Sequence, residues 1–201
     1  MPIMRFGAGV PDRPPQKGTV MKPKLTIGFS ILISLLLLAF GLVYGDVSGY
    51  ADDRAGVVSL LGGENGLADA LGYRAADGLN LCVVAERHLT ADTDVAALRS
   101  AALAQRETSA GKPAALKAGD DTLAAAFATV AAKLRANNSF TASERDTRYL
   151  AMLTADFAQY GQSDIFQTYN QAVEQFNRKL TVPVLGDVAR FFGVKPCEAY
   201  R

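Results

Sequence analysis

An uninterrupted apolar run, Leu25 to Tyr44, constrains this 201-residue chain more than any other feature. Its 20 residues carry no charge. As a helix rising ~1.5 Å per residue they span roughly 30 Å, the hydrocarbon thickness of a bilayer. The polar residues inside the run, Thr26, Ser30 and Ser34, are small hydroxyls that can bond back to helix carbonyls. Tyr44 stands at the end, where interfacial aromatics are favoured. A basic start followed by an apolar stretch also describes a cleaved signal peptide, but the run exceeds the roughly 7–15 residues of a signal core. No clear small-x-small cleavage site follows it, and no cysteine follows at once to accept a lipid. The sequence therefore predicts a retained transmembrane helix over residues 25–44.

The flanks orient it. Lys22 and Lys24 precede the run, whereas Asp46, Asp52 and Asp53 follow it with Arg54 the one nearby cation. The positive-inside rule then puts the N-terminus in the cytoplasm and the rest of the chain outside, as in a single-pass protein of a bacterial inner membrane. Residues 1–24, rich in Pro and Gly, read as a disordered cytoplasmic tail. Met21 opens Met-Lys-Pro-Lys and is a second candidate start beside Met1.

Charge narrows the partners. Residues 1–45 hold five basic groups and one acid, and residues 46–201 hold 16 basic and 19 acidic groups. A mildly acidic domain lacks the concentrated basic surface that phosphate backbones need, so nucleic acid is excluded as a partner. Membrane lipid, met through the anchor, and an unidentified protein remain.

Past the anchor the periodicity is helical throughout. Residues 45–66 contain six glycines and four acids and read as a juxtamembrane linker, a hinge or a weak helix, broken at Gly62-Gly63. Residues 67–201 form the domain. Leu71, Ala75, Gly78, Cys82, Ala85 and Leu89 recur at spacings of three and four, with Arg74, Asp77 and Arg87 on the opposite face. Thr90 to Asp94 offers N-caps for a helix carrying Val95, Leu98, Ala102 and Gln105, which ends before Gly111-Lys-Pro113. Leu116, Leu123, Phe127, Val130 and Leu134 mark the next helix, which stops at Asn137-Asn138. Thr141-Ala-Ser-Glu144 matches a capping box. Behind it Leu150, Leu153, Phe157, Tyr160, Ile165, Tyr169, Val173, Phe176 and Leu180 hold one stripe with a slip near Gly161. That stripe predicts a single helix about 55 Å long. Pro183 ends it, and a short amphipathic piece with Val184, Leu185, Val188 and Phe192 closes at Gly193 and Pro196. Alternating β-branched runs with hairpin turns are missing. The predicted fold is all-α: an antiparallel bundle of about four helices, one very long, behind a single N-terminal transmembrane helix.

The C-terminal residues carry a family resemblance. Tyr169-Asn170-Gln171-Ala172-Val173, then Phe176-Asn177, Val182-Pro183 and Phe191-Phe192-Gly193-Val194-Lys195-Pro196 resemble the closing signature of LemA proteins. That signature runs Tyr-Asn-x-Ala-Val, Tyr-Asn, a Pro-containing turn and an apolar Phe-Gly-Phe-Lys segment. Leu71-Gly-Tyr-Arg74-Ala-Ala-Asp77-Gly-Leu79-Asn80-Leu81 is similar to the family's Arg-Arg-x-Asp-Leu-Ile-Pro-Asn-Leu stretch, with Gly78 where the family has Pro. The second Tyr-Asn is Phe176-Asn177 here. The resemblance covers roughly residues 21–200. It singles out Tyr169, Asn170, Asn177, Pro183, Phe192 and Gly193, and implies a membrane-anchored helical bundle with no established catalytic activity and no cofactor.

No catalytic, metal-binding or cofactor-binding signature stands out in the residues themselves. His88 is the single histidine, and one His with two distant cysteines does not make a zinc site. A Ser-His-Asp set is available by count, without a nucleophile-elbow motif. Glu64, Asp69, Asp77 and Glu86 read as a solvated face rather than paired acid-base carboxylates. Glu86-Arg-His88 has the wrong spacing for a di-iron bundle. Gly62-Gly-Glu-Asn-Gly66 lacks the Gly-Lys-Ser/Thr ending of a phosphate loop. Cys82 and Cys197 form a candidate disulfide if the domain is extracytoplasmic; the alternative is a buried thiol and an exposed one. Phe157, Tyr160, Phe166, Tyr169 and Phe176 read as core, with Phe166 off the stripe and a candidate partner contact. The expected function is a non-catalytic scaffold or interaction module at the cell envelope. The alternative is an envelope hydrolase whose site is assembled from distant residues.

Overall fold

The structure, a computed structural model, describes residues 23–108 and 112–201, with side chains from residue 27 onward. The tail over residues 1–22, the side chains of the flanking lysines and Gly111 lie outside the described residues. Every described element is a helix: α1 Pro23–Gly62, α2 Leu67–Ala85, α3 Thr93–Glu107, α4 Pro113–Arg135, α5 Asn138–Thr141, α6 Glu144–Gly161, α7 Asp164–Lys179 and α8 Leu185–Phe191. The chain divides into two compact units, residues 1–42 and 43–201.

In the first unit α1 is apolar on all sides. Its large side chains from Ile27 to Leu42 are exposed, between 40% at Ile33 and 70% at Phe40. It is the one described helix long and apolar enough to cross a membrane by length and composition.

In the second unit α1 continues to Gly62, so of the hinge or weak helix expected over residues 45–66 the chain forms the helix, which ends at the expected Gly62-Gly63 break. Tyr50, Val57 and Leu61 are buried in a shared apolar cluster with Leu67, Leu71, Tyr169, Val173 and Phe176. Their spacings of seven and four put them on one helix face. Gly45, Gly49 and Gly56 border open space. Each costs about 1 kcal/mol against Ala, and packing of the opposite face offsets it.

Helix α2 is the hub. It packs against α3, α4 and α6 and touches α7. That many neighbours bury Arg74 and Asp77 together with Leu71, Ala75, Gly78 and Cys82, so these two of the residues expected to be solvated are interior, while Glu64, Asp69, Glu86 and Arg87 are exposed. A second apolar cluster surrounds the far end of α2, joining Leu81, Cys82, Val84 and Ala85 to Leu98, Leu123, Val130, Leu134, Leu150 and Phe157.

Two local expectations are corrected. Residues 144–180 are two helices, not one. Ser163 accepts a hydrogen bond from Ile165 N at 3.4 Å and starts α7, while Gln162 N turns back onto Ala158 O at 3.0 Å and closes α6. The slip in the stripe near Gly161 is this joint. The cap of α6 is Ser143, which accepts from Asp146 N at 3.3 Å; Thr141 closes α5 instead.

Candidate functional site

Two constellations bring chemistry-bearing residues together. The first surrounds His88, just past the end of α2. Its Nε2 lies 2.9 Å from Asp146 Oδ2 and its Nδ1 lies 3.0 Å from Ser139 Oγ. The structure thus assembles a Ser-His-Asp array from the second residue of α5, the α2–α3 connection and the first turn of α6. Asp146 also accepts from Arg87 Nη1 at 3.0 Å. The His88 hydrogen bond, helped by Ser143 and Arg87, holds its carboxyl below the usual carboxylate range.

The surrounding hydrogen bonds decide what the array can do. An acyl-transfer serine needs its proton aimed at the imidazole and free N–H donors for the oxyanion. Here Asn137 caps α5, and its Oδ1 accepts from Ser139 N at 2.9 Å and Phe140 N at 3.1 Å. Those are the two amides beside the would-be nucleophile. Ser139 Oγ itself donates to the same oxygen at 2.8 Å, which draws its proton away from His88 Nδ1, 3.0 Å away. Asn137 Nδ2 donates to His88 O at 3.2 Å. The cleft beside Asp146, about 300 Å³, is lined by Val83, Arg87 and Tyr149 among others and takes in neither Ser139 nor His88. The network ties three helix ends together; its donors point inward.

The second constellation runs along α7, and here the residues of the C-terminal signature converge. Gly193 follows α8 with φ +91°, a left-handed conformation that suits glycine. Gly193 N donates to Arg190 O at 3.0 Å and Val194 N to Ala189 O at 3.0 Å. Those two bonds are a Schellman motif, and they turn the chain back along α7. Asn177 then receives Cys197 through both amide groups: Nδ2 donates to Cys197 O at 2.8 Å and Oδ1 accepts from Cys197 N at 2.9 Å. Asn170 does the same with Tyr200, at 3.0 Å and 2.8 Å. Tyr169 Oη donates to Glu198 O at 2.7 Å.

The register has a geometric cause. Residues seven apart on a helix are separated by about 10.5 Å along its axis. Three residues of extended or polyproline-type chain cover roughly 9–10 Å. Asn170 and Asn177 therefore match Cys197 and Tyr200, three apart, and Val194, Cys197 and Tyr200 face the apolar cluster with that period of three. Burial, then the nearby Cys197 and Glu198, pushes the Tyr169 phenol up to about 12. Beside the tail lies a groove of about 970 Å³ lined by Gln167, Asn170, Glu174, Asn177 and Arg201 among others.

Tyr200 extends the clamp into the interior. Its Oη donates to Asp120 Oδ2 at 3.1 Å, and Asp120 forms a buried ion pair with Arg74. Arg74 also lies over the Phe157 ring, 4.1 Å from its centroid. Burial, then the Asp120 carboxylate, raises the Tyr200 phenol. The sequence pattern put Arg74 on the face of α2 opposite its apolar stripe and did not single out Asp120 or Tyr200. A signal existed for Asp120: it falls four residues after Leu116 and three before Leu123, on the apolar stripe of α4.

Of the signature residues, Tyr169, Asn170, Asn177 and Gly193 meet in this one device. Pro183 and Phe192 do not; both are exposed at the α7–α8 corner and the end of α8. Phe166 packs on the Tyr200 ring at 5.1 Å and so supports the tail. The disulfide is corrected as well: Cys82 and Cys197 are free thiols. Cys82 Sγ faces Val95 O at 3.6 Å, in the cluster at the far end of α2. It lies 11 residues, about 16 Å of helix, beyond Leu71 of the cluster against which Cys197 packs. A disulfide needs Cα atoms within about 7 Å. Burial raises both thiols.

Among the described residues no group of three or more His, Cys, Asp or Glu side chains is placed to hold a metal ion. No family model, curated protein or solved structure matches the chain.

Proposed function

We propose that this chain is a membrane-anchored, non-catalytic helical bundle of LemA type, working as a scaffold or interaction module at a bacterial cell envelope. In this reading α1 holds the protein in the inner membrane as a single span, with the N-terminus cytoplasmic and the helical unit outside. The observation that supports it most is the convergence of signature residues Tyr169, Asn170, Asn177 and Gly193 on the backbone of the chain's own tail. Their shared role is to dock a segment, with no nucleophile or general base among them. The apolar first unit, whose side chains face outward, supports the anchor. The test is photo-crosslinking in native membranes followed by purification of the intact chain. Repeated recovery of one stoichiometric protein partner supports the module; recovery of abundant bystanders alone overturns it.

The Ser139–His88–Asp146 array favours a second reading, an envelope hydrolase. Labelling of the full chain by a fluorophosphonate probe, lost in Ser139→Ala, is the result that would establish it. The hydrogen bonds committed to Asn137 predict no labelling.

A further inference from the structure

The sequence pattern of α8 predicts that Val184, Leu185, Val188 and Phe192 point inward. The structure inverts this for all but Val188, which is half-buried. Gly186 and Ala189 are the buried residues of α8, whereas Val184 is 69%, Phe191 85% and Phe192 58% exposed. Gly186 causes the inversion: a side chain there would meet Leu180 O at 2.2 Å, so α8 lies with its glycine face directly against the chain and its large side chains outward. The entry to α8 holds them there. Leu185 N donates to Pro183 O at 2.9 Å across Val184, whose φ of +69° and ψ of −63° form a γ-turn of the rare, strained kind. A β-branched residue in this conformation is strained, and such strain clusters at functional positions.

We propose that this corner, residues 182–192, is a foot that inserts into the interface of an anionic bilayer. The proposal rests on the reading of residues 25–44 as a membrane anchor. Both ends of the foot are held by one turn of α1. Tyr50 Oη donates to Lys179 O at 3.0 Å just before it, and Arg54 Nε donates to Lys195 O at 3.2 Å just after it. Tyr50 is six residues beyond Tyr44, so the covalent chain keeps that attachment within roughly 20 Å of the end of the apolar run. An apolar surface tethered so close to a bilayer meets lipid at a high effective concentration. Its charges lean the same way. Residues 178–201 hold five basic and two acidic side chains, Arg178, Lys179 and Arg190 being paired with Glu174, Asp53 and Asp187 and Lys195 and Arg201 standing exposed. Apolar side chains buried roughly 5–10 Å deep beneath a basic face are the pattern of interfacial segments on anionic lipid.

The chain contains no tryptophan, so one introduced indole reports its own surroundings. Three full-length variants, Phe192→Trp, Leu37→Trp and Tyr149→Trp, are reconstituted into phosphatidylcholine–phosphatidylglycerol vesicles with and without brominated acyl chains. The expected result is loss of emission on brominated vesicles for Phe192→Trp and Leu37→Trp, with Tyr149→Trp unchanged. Quenching of Leu37→Trp without Phe192→Trp overturns the foot and leaves the anchor standing. Quenching of neither overturns both. A blue-shifted Phe192→Trp emission that bromine does not touch shows a second protein surface covering the corner, and that also overturns the foot.

Discussion

Asp77 carries an uncompensated burial. It sits on α2, 9% exposed, and its Oδ2 has no protein hydrogen-bond partner. Burial, reinforced by Asp156, raises its carboxyl from 3.8 to about 6. The unfolded chain ionises Asp77 near pH 4, while the folded chain keeps the proton until about pH 6. Between those values the folded state binds more protons, so stability contributed by this group falls as pH rises through the window and then levels off. The shift corresponds to at most about 3 kcal/mol. Asp77→Asn keeps the shape and removes the ionisation. Its expected outcome is a higher urea midpoint than the parent at pH 7.5, with the two converging toward pH 4, measured by circular dichroism. An equal offset at both pH values would mean that Asp77 acts through packing alone. Polar residues on this interior face of α2 were legible as helical but not as buried, because an amphipathic pattern identifies one apolar face and cannot count the helices that surround a hub.

At the scale of elements, the tail and α7 behave as one unit joined by side-chain amides. Asn177→Ala removes both bonds to Cys197, each worth about 1 kcal/mol net. The tail should then open roughly tenfold more often or greater, since 1.4 kcal/mol is a factor of ten. Cys197 reports it: its alkylation rate should rise by that factor in Asn177→Ala, while Cys82, fully buried, stays protected. Equal rates in parent and variant would show that apolar contacts of Val194 and Tyr200 hold the tail alone. Helix positions were largely readable. The stripes of α3 and α4 are buried as their spacing predicts, at Val95, Leu98, Ala102 and Gln105 and at Leu116, Leu123, Phe127, Val130 and Leu134. Boundaries were less so. The α6–α7 joint is made by Ser163, a strong cap in the middle of a stripe whose apolar residues continue past it on either side. The inversion of α8 was unreadable, since it depends on Gly186 meeting the Leu180 carbonyl, a contact that no local pattern contains.

At the scale of the whole second unit, the Arg74–Asp120–Tyr200 chain links the parts. It joins α2, α4 and the C-terminal tail, and Arg74 reaches α6 through the Phe157 ring. Phe157 belongs to the apolar cluster around the far end of α2, and Tyr200 to the one shared by α1 and α7, so the ion pair stands where the two cores meet. Both side chains are 9% exposed. Taking two charges out of water costs several kcal/mol per ion, and their attraction returns that only while both are present. Removing one partner leaves an uncompensated interior charge. Arg74→Met and Asp120→Leu, each alone, should therefore lose roughly 3–5 kcal/mol of stability. The double variant removes both charges at once and should lose considerably less than the sum of the single losses, with a coupling on the order of 1–3 kcal/mol. Urea unfolding of the four proteins in the same detergent checks this. Additive losses would mean that the two residues stabilise the unit independently. A second readout separates the pair from the tail: Asp120→Leu also strands the Tyr200 hydroxyl, so it should speed Cys197 alkylation more than Arg74→Met does. An equal effect of the two variants on that rate would place the link between tail and core in the apolar contacts of the Tyr200 ring instead of in its hydrogen bond.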